Sequence, residues 1–248
     1  MRWPVVLATS MTLLLGAGKA LTGEPAPTAR TVLTFEDAEL GRTPPGFTTS
    51  LTGGGAPVSW VVREDATAPS GKKVLVQTSA DGTSQRFPHS VYDAVSTEDV
   101  TLSVKLKPMS GEVDQAGGLI WRYRDPSNYY LVRANALEGN VVLYKVENGK
   151  RSDLKPVDSG LFAYGKDAEV ETNRWHTLKV DVDGPRFRVT LDDVLLFDVE
   201  DSTLRGAGKV GLWTKADSVT AFDDFVIEPK GPSPRHTKTG SSAAMPPA

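Results

Sequence analysis

The chain has 248 residues, no cysteine, 23 glycines, 17 prolines and a formal charge of −3. Its length suits one large domain or two small ones, and single all-β sandwiches often reach such lengths. With no cysteine there is no disulfide scaffold, thiolate zinc site, iron–sulfur cluster or cysteine nucleophile, and the near-neutral charge gives no footing for nucleic acid.

Arg2 is followed by a mostly apolar run from Val5 to Leu15 and by the small residues around Gly18-Lys19-Ala20. The run is short for a bilayer span, so residues 1–20 are predicted to be a secretory signal peptide, cut after Ala20 or Ala17. A secreted or periplasmic protein of a bacterial envelope is expected, with no membrane span after signal cleavage. Residues 21–30 read as a Pro- and Ala-rich linker, and 229–248 as a disordered tail. The domain between them, 31–228, carries about −8, the wrong sign for duplex binding.

Within that domain, period-2 runs of β-branched and aromatic residues alternate with turn signals. Strands are predicted at 31–36, 58–63, 73–78, 89–94, 99–107, 117–124, 129–135, 140–147, 176–183, 186–191, 194–199, 208–214 and 219–227. Gly-, Pro-, Asn- and Asp-rich corners separate them, among them Asn148-Gly149 and Asp192-Asp193, which suit hairpin turns. So many antiparallel strands predict an all-β, two-sheet antiparallel jelly-roll sandwich. A turn at Asp125–Asn128 would pair Tyr123 with Tyr130, and one at Ala136–Gly139 would pair Asn135 with Asn140. Alternation then puts Leu119, Trp121, Tyr123, Tyr130, Val132, Ala134, Val141 and Leu143 on a core face. The opposite face receives Arg122, Arg124, Tyr129, Arg133, Asn135 and Tyr144. Trp60, Trp121 and Trp175 are expected in the core.

The runs GGLIWRYRDPSNYYLVRANALEGNVVLYKVENGKR (117–151), NRWHTLKVDVDGPRFRVTLDDVLLFDVED (173–201) and GKVGLWTKADSVTAFDDFVI (208–227) resemble bacterial concanavalin A-like, laminin-G-like jelly rolls. That group includes lectins, carbohydrate-binding modules, adhesion modules and glycosidases, so the resemblance implies a fold more than a function. Family 16 glycoside hydrolases carry E-x-D-x-x-E. Here Glu112 and Asp114 fit, but Gly117 replaces the second glutamate, and both acids read as solvated loop residues. The 3-keto-disaccharide hydrolase domains share the W-x-x-L-K-V strand, but their usual opening is absent. His176, at a strand start, reads as structural.

The resemblance also implies neighbouring first and last strands. That would bring Glu36 and Asp37 beside Asp223 and Asp224, hard oxygen ligands suited to a structural calcium ion. Alternatively these acids simply bond to strand-end amides. A sugar site needs an aromatic platform and planar hydrogen-bonding groups. Arg122, Arg124, Arg133 and Asn135 beside Tyr129 and Tyr144 supply these, with Trp213, Lys215 and Asp217 on the border. Such a site is cationic and suits an acidic carbohydrate. Three functions stand at this point: a non-catalytic lectin-like module binding a glycan on its concave sheet, a glycoside or 3-keto-disaccharide hydrolase, and an adhesion module binding a protein. A carboxylate pair in the groove would favour the hydrolase. No catalytic residue and no oligomeric state is assigned.

Overall fold

The computed structural model describes residues 29–155 and 164–231. The predicted signal peptide, most of the linker and most of the tail lie outside the described residues. In chain order the strands are β1 (Thr31–Leu33), β2 (Phe47–Thr52), β3 (Trp60–Glu64), β4 (Lys73–Gln77), β5 (Phe87–Thr97), β6 (Val100–Ser110), β7 (Ala116–Asp125) and β8 (Asn128–Asn135). They continue as β9 (Asn140–Glu147), β10 (Lys150–Asp153), β11 (Lys166–Asp167), β12 (His176–Asp183), β13 (Arg186–Leu191), β14 (Val194–Glu200), β15 (Gly208–Thr214) and β16 (Val219–Pro229). No helix among the described residues is long and apolar enough to cross a membrane. All thirteen predicted strands are present, while β2, β10 and β11 lie outside the prediction.

Two antiparallel sheets form a jelly-roll sandwich. The first runs β14-β13-β12-β6-β16-β4-β3, with β1 also on β16; the second runs β10-β9-β8-β7-β15-β5-β2, with β11 also on β9. Alternation builds the space between them: Leu178, Val180 and Val182 of β12 face Leu119 and Trp121 of β7 and Val132 of β8 in one buried cluster. Trp60 packs 5.6 Å from Phe222, and Trp121 stacks on Tyr130 at 5.7 Å. Tight corners follow the sequence: Asn148 and Gly149 take positive φ of 50° and 77°, and Asp192 and Asp193 take 46° and 66°.

Two expectations are corrected. Trp175 is not in the core. It immediately precedes the inward-facing His176, so alternation turns it onto the outer face of the first sheet. There its indole donates to Thr67 Oγ1 at 3.1 Å and Lys107 Nζ lies 5.0 Å from the ring centroid.

The second correction is the β7–β8 register. Asn135 does pair with Asn140, but Tyr130 pairs with Trp121 instead of Tyr123. The register shifts between Trp121 and Asp125, where Arg122 takes φ 47°. This bulge re-aims two side chains. Tyr123 joins the outer-face cluster, and Arg122 turns to the end of the core, 5.5 Å over Phe187. At the chain end, β16 reaches Pro229, and the Lys230 amide donates to Asp99 O at 2.9 Å.

Candidate functional site

The outer face of the second sheet carries its own buried cluster, which includes Phe87, Ile120, Tyr129, Leu131, Val142, Tyr144 and Trp213. The sheet is rolled around it. Tyr129 OH on β8 lies 3.0 Å from Thr52 Oγ1 on β2, four strand steps away. In a flat sheet those strands would stand about 19 Å apart, beyond the reach of the two side chains. Gly118 lies in register between Trp213 and Arg133, and a Cβ there would stand 2.3 Å from Val132 O. The expected open, polar concave surface is thus the inside of a tight roll, called the hollow below, whose side chains are mostly buried.

At one end of the hollow Arg133 is fully buried. It donates to Asn140 Oδ1 and Glu138 Oε2, each at 2.6 Å, and reaches Tyr144 OH and Tyr164 OH at 3.4 Å. Asn135 donates to Asp114 Oδ1 at 2.7 Å and Glu138 Oε1 at 3.0 Å. Lys215 Nζ stands 2.7 Å from Asp114 Oδ2 and 3.8 Å from Glu138 Oε1. Burial opposes the Glu138 charge, but Arg133, Asn140 and Lys215 together outweigh it and hold the carboxyl below its usual range. Burial likewise opposes the Arg133 charge, and its surroundings, the Glu138 carboxylate among them, more than restore it. Burial drives the Tyr144 phenol upward, so it stays protonated.

Beside this network, Trp213 stacks on Phe87 at 5.5 Å, and the Arg151 guanidinium lies 4.6 Å from Phe87 and 4.4 Å from Tyr144. A hydroxyl network lines the far wall. His89 Nδ1 lies 3.0 Å from Ser50 Oγ, and its Nε2 lies 3.0 Å from Tyr129 OH and 3.1 Å from Thr52 Oγ1. Burial pulls the His89 pKa down to about 3, and burial raises that of Tyr129 to about 12.

Of the predicted ligand-binding residues, Arg133, Asn135, Tyr144 and Lys215 come together, and Trp213 stands at the aromatic end. Tyr129 belongs to the hydroxyl wall. The others lie elsewhere. Arg122 donates to Glu98 O at 3.0 Å and Leu204 O at 3.1 Å, and contacts Asp99 Oδ1 at 3.3 Å, pinning loops at the edge of the sandwich. Arg124 is exposed and donates to Arg205 O. Asp217 accepts the amides of Glu112, Val113 and Asp114 at 2.6, 3.0 and 3.0 Å. Burial opposes its charge, but these amides prevail and lower its pKa. It therefore positions Asp114 from behind.

Glu112 is solvated as expected, but Asp114 is buried among polar partners. Glu138, Asn140, Tyr164, Phe87 and Arg151 were not singled out by alternation. Glu138 lies in a hairpin loop, Asn140 stands opposite Asn135, Arg151 lies on the edge strand beside Tyr144, and Phe87 meets them because the sheet rolls.

The calcium candidates meet the loop before β4. Glu36 Oε1 accepts the Lys72 and Lys73 amides at 2.9 and 2.6 Å. Asp223 accepts the Ser70 amide at 2.9 Å and its neighbour's amide at 2.7 Å, and Asp224 accepts the Ser70 hydroxyl at 2.6 Å. Asp37 is exposed. Among the described residues no group of three or more Asp, Glu or His side chains is gathered as a metal ion requires. These carboxylates are held by amide and hydroxyl donors of the loop before β4.

No family model matches the chain. Levanase of Bacillus subtilis (strain 168) is 28% identical over 141 residues, covering 56% of this chain and 19% of levanase. The chain thus spans about a fifth of that relative's length. Among solved structures, a carbohydrate-binding module of Bacillus subtilis, CBM66, superposes with a TM-score of 0.56 at 23% identity, covering 74% of this chain and 95% of the module. The cellulose induced protein Cip1 superposes with a TM-score of 0.55 at 13% identity, covering 79% of this chain and 95% of that one. These likenesses show the sandwich fold.

Proposed function

We propose that the protein is an exported, non-catalytic carbohydrate-binding module whose glycan occupies the hollow of the rolled sheet. The observation that carries this reading is the junction of an aromatic wall, Phe87, Trp213 and Tyr144, with a comb of planar polar groups, Arg133, Asn135, Glu138 and Asn140. Sugars need both, an apolar C–H face against a ring and directed partners for hydroxyls. The partial match to levanase and the shared fold with a carbohydrate-binding module support it.

A hydrolase reading has one observation in its favour, the Asp114 and Glu138 carboxylates bridged by Asn135 and Lys215. Glycoside hydrolysis needs one acid kept protonated by a raised pKa. Glu138 is shifted the opposite way, so it is not set up to donate a proton, and Lys215 holds Asp114 at 2.7 Å.

A glycan array probed with the full chain and with Tyr144→Ala and Lys215→Ala tests the proposal. Both variants should lose about tenfold in affinity for any hit while melting as cooperatively as the parent. Unchanged profiles in both would remove the hollow as the site, and release of cleaved sugar would restore the hydrolase.

A further inference from the structure

We infer that the ligand of this hollow is anionic, a uronate-type glycan whose carboxylate is taken by Arg151 together with Arg133; this rests on the binding reading above.

The charges in the hollow are unequal. Arg133 is matched by Glu138 at 2.6 Å and Lys215 by Asp114 at 2.7 Å. Among the described residues no carboxylate lies within ion-pair distance of Arg151. Counted over the described side chains, the hollow therefore carries one positive charge beyond its ion pairs, held between two aromatic rings. Cation–π contact supports such a charge only in part.

The donor count points the same way. Arg151 Nη1 and Arg133 Nε are both buried and both lack a hydrogen-bond acceptor. Buried guanidinium donors are rarely left so, because desolvation removes water without replacing it. The two guanidinium groups flank one side chain: Arg133 reaches the Tyr144 hydroxyl at 3.4 Å, and Arg151 lies on the Tyr144 ring at 4.4 Å. Sugar hydroxyls could accept these N–H groups but would leave the charge uncompensated. A carboxylate supplies two acceptor oxygens and the missing negative charge at once, the pairing for which guanidinium geometry is suited.

Matched pairs of probes isolate the charge. Trigalacturonate is compared with its methyl ester, and mannuronate and glucuronate trimers with their carboxyl-reduced counterparts, by titration calorimetry on the full chain. At least one acid should bind about tenfold or more tighter than its neutral match, a preference that shrinks with added salt. Arg151→Gln should abolish that preference, since Gln keeps hydrogen-bonding capacity without charge.

Equal binding of acid and neutral partners, or an acid preference that survives Arg151→Gln, overturns the inference. If neutral sugars bind and Tyr144→Phe or Lys215→Ala weakens them, the hollow remains the site and only its charge selectivity is lost. If no probe binds, or neither substitution matters, the site reading falls and the charge inference falls with it.

Discussion

Two buried titratable side chains act on stability with opposite signs. His89 is neutral in the fold, its pKa lowered by burial to about 3. Its contribution is complete above the ordinary histidine pKa and is lost as pH falls, because the unfolded chain takes up the proton first. Asp223 is fully buried, and burial, aided by Asp224 and Glu36, raises its pKa to about 6. Its contribution is complete below the ordinary aspartate pKa and is lost as pH rises towards 6. Between pH 4 and 6 each changes stability by about 1.4 kcal/mol per pH unit, and the two nearly cancel. Asp223→Asn should remove one side of this balance. Relative to the parent chain, the variant should gain stability at pH 7 and lose the gain progressively on acidification to pH 4, as read from urea unfolding at several pH values. A pH-independent difference between the two would show that Asp223 titrates normally.

At the scale of the strand, β7 decides what faces the hollow. Alternation correctly sorted Leu119, Trp121, Val132 and Ala134 to the core, because those residues obey the two-residue period. It failed at Arg122 and Tyr123, because a bulge does not alter composition and leaves no mark on the polarity pattern. Arg122, an expected ligand residue, is instead a fastening whose guanidinium satisfies the carbonyls of Glu98, Leu204 and Gly184. Arg122→Met should therefore leave glycan affinity unchanged and lower the unfolding free energy by about 3–5 kcal/mol, the cost of breaking a buried charged network from one side. Lost affinity in a fully folded variant would return Arg122 to the site. The hollow was half legible for a related reason. Arg133, Asn135 and Tyr144 share a face by period alone, whereas Phe87 meets Arg151, on the strand beside Tyr144, only through the rolling of the sheet, a long-range property of seven strands together.

For the whole molecule, the sandwich closes on its apolar filling, with no cysteine to cross-link it. Trp60, Trp121, Phe187, Phe222 and Phe225 are essentially sealed between the sheets, enough apolar area for a domain of this size to stand without cross-links. Calcium and chelator should therefore give melting temperatures within about 1 °C of each other, since an ion that does not bind the folded state cannot shift its stability. A drop of several degrees in chelator would show that Glu36, Asp223 and Asp224 exchange their amide partners for a cation.

The placement of β16 has a consequence in time as well as in space. This last strand lies in the middle of the first sheet, against β6 on one side and β4 and β1 on the other. Without it, β14-β13-β12-β6 and β4-β3 are separate ribbons with open edges. A chain delivered amino-terminus first cannot complete the sheet until its final strand emerges, so closure waits on contacts between the most distant parts of the sequence. Under the export proposed above, that delay would keep the unfinished chain threadable and commit folding to the far side of the membrane.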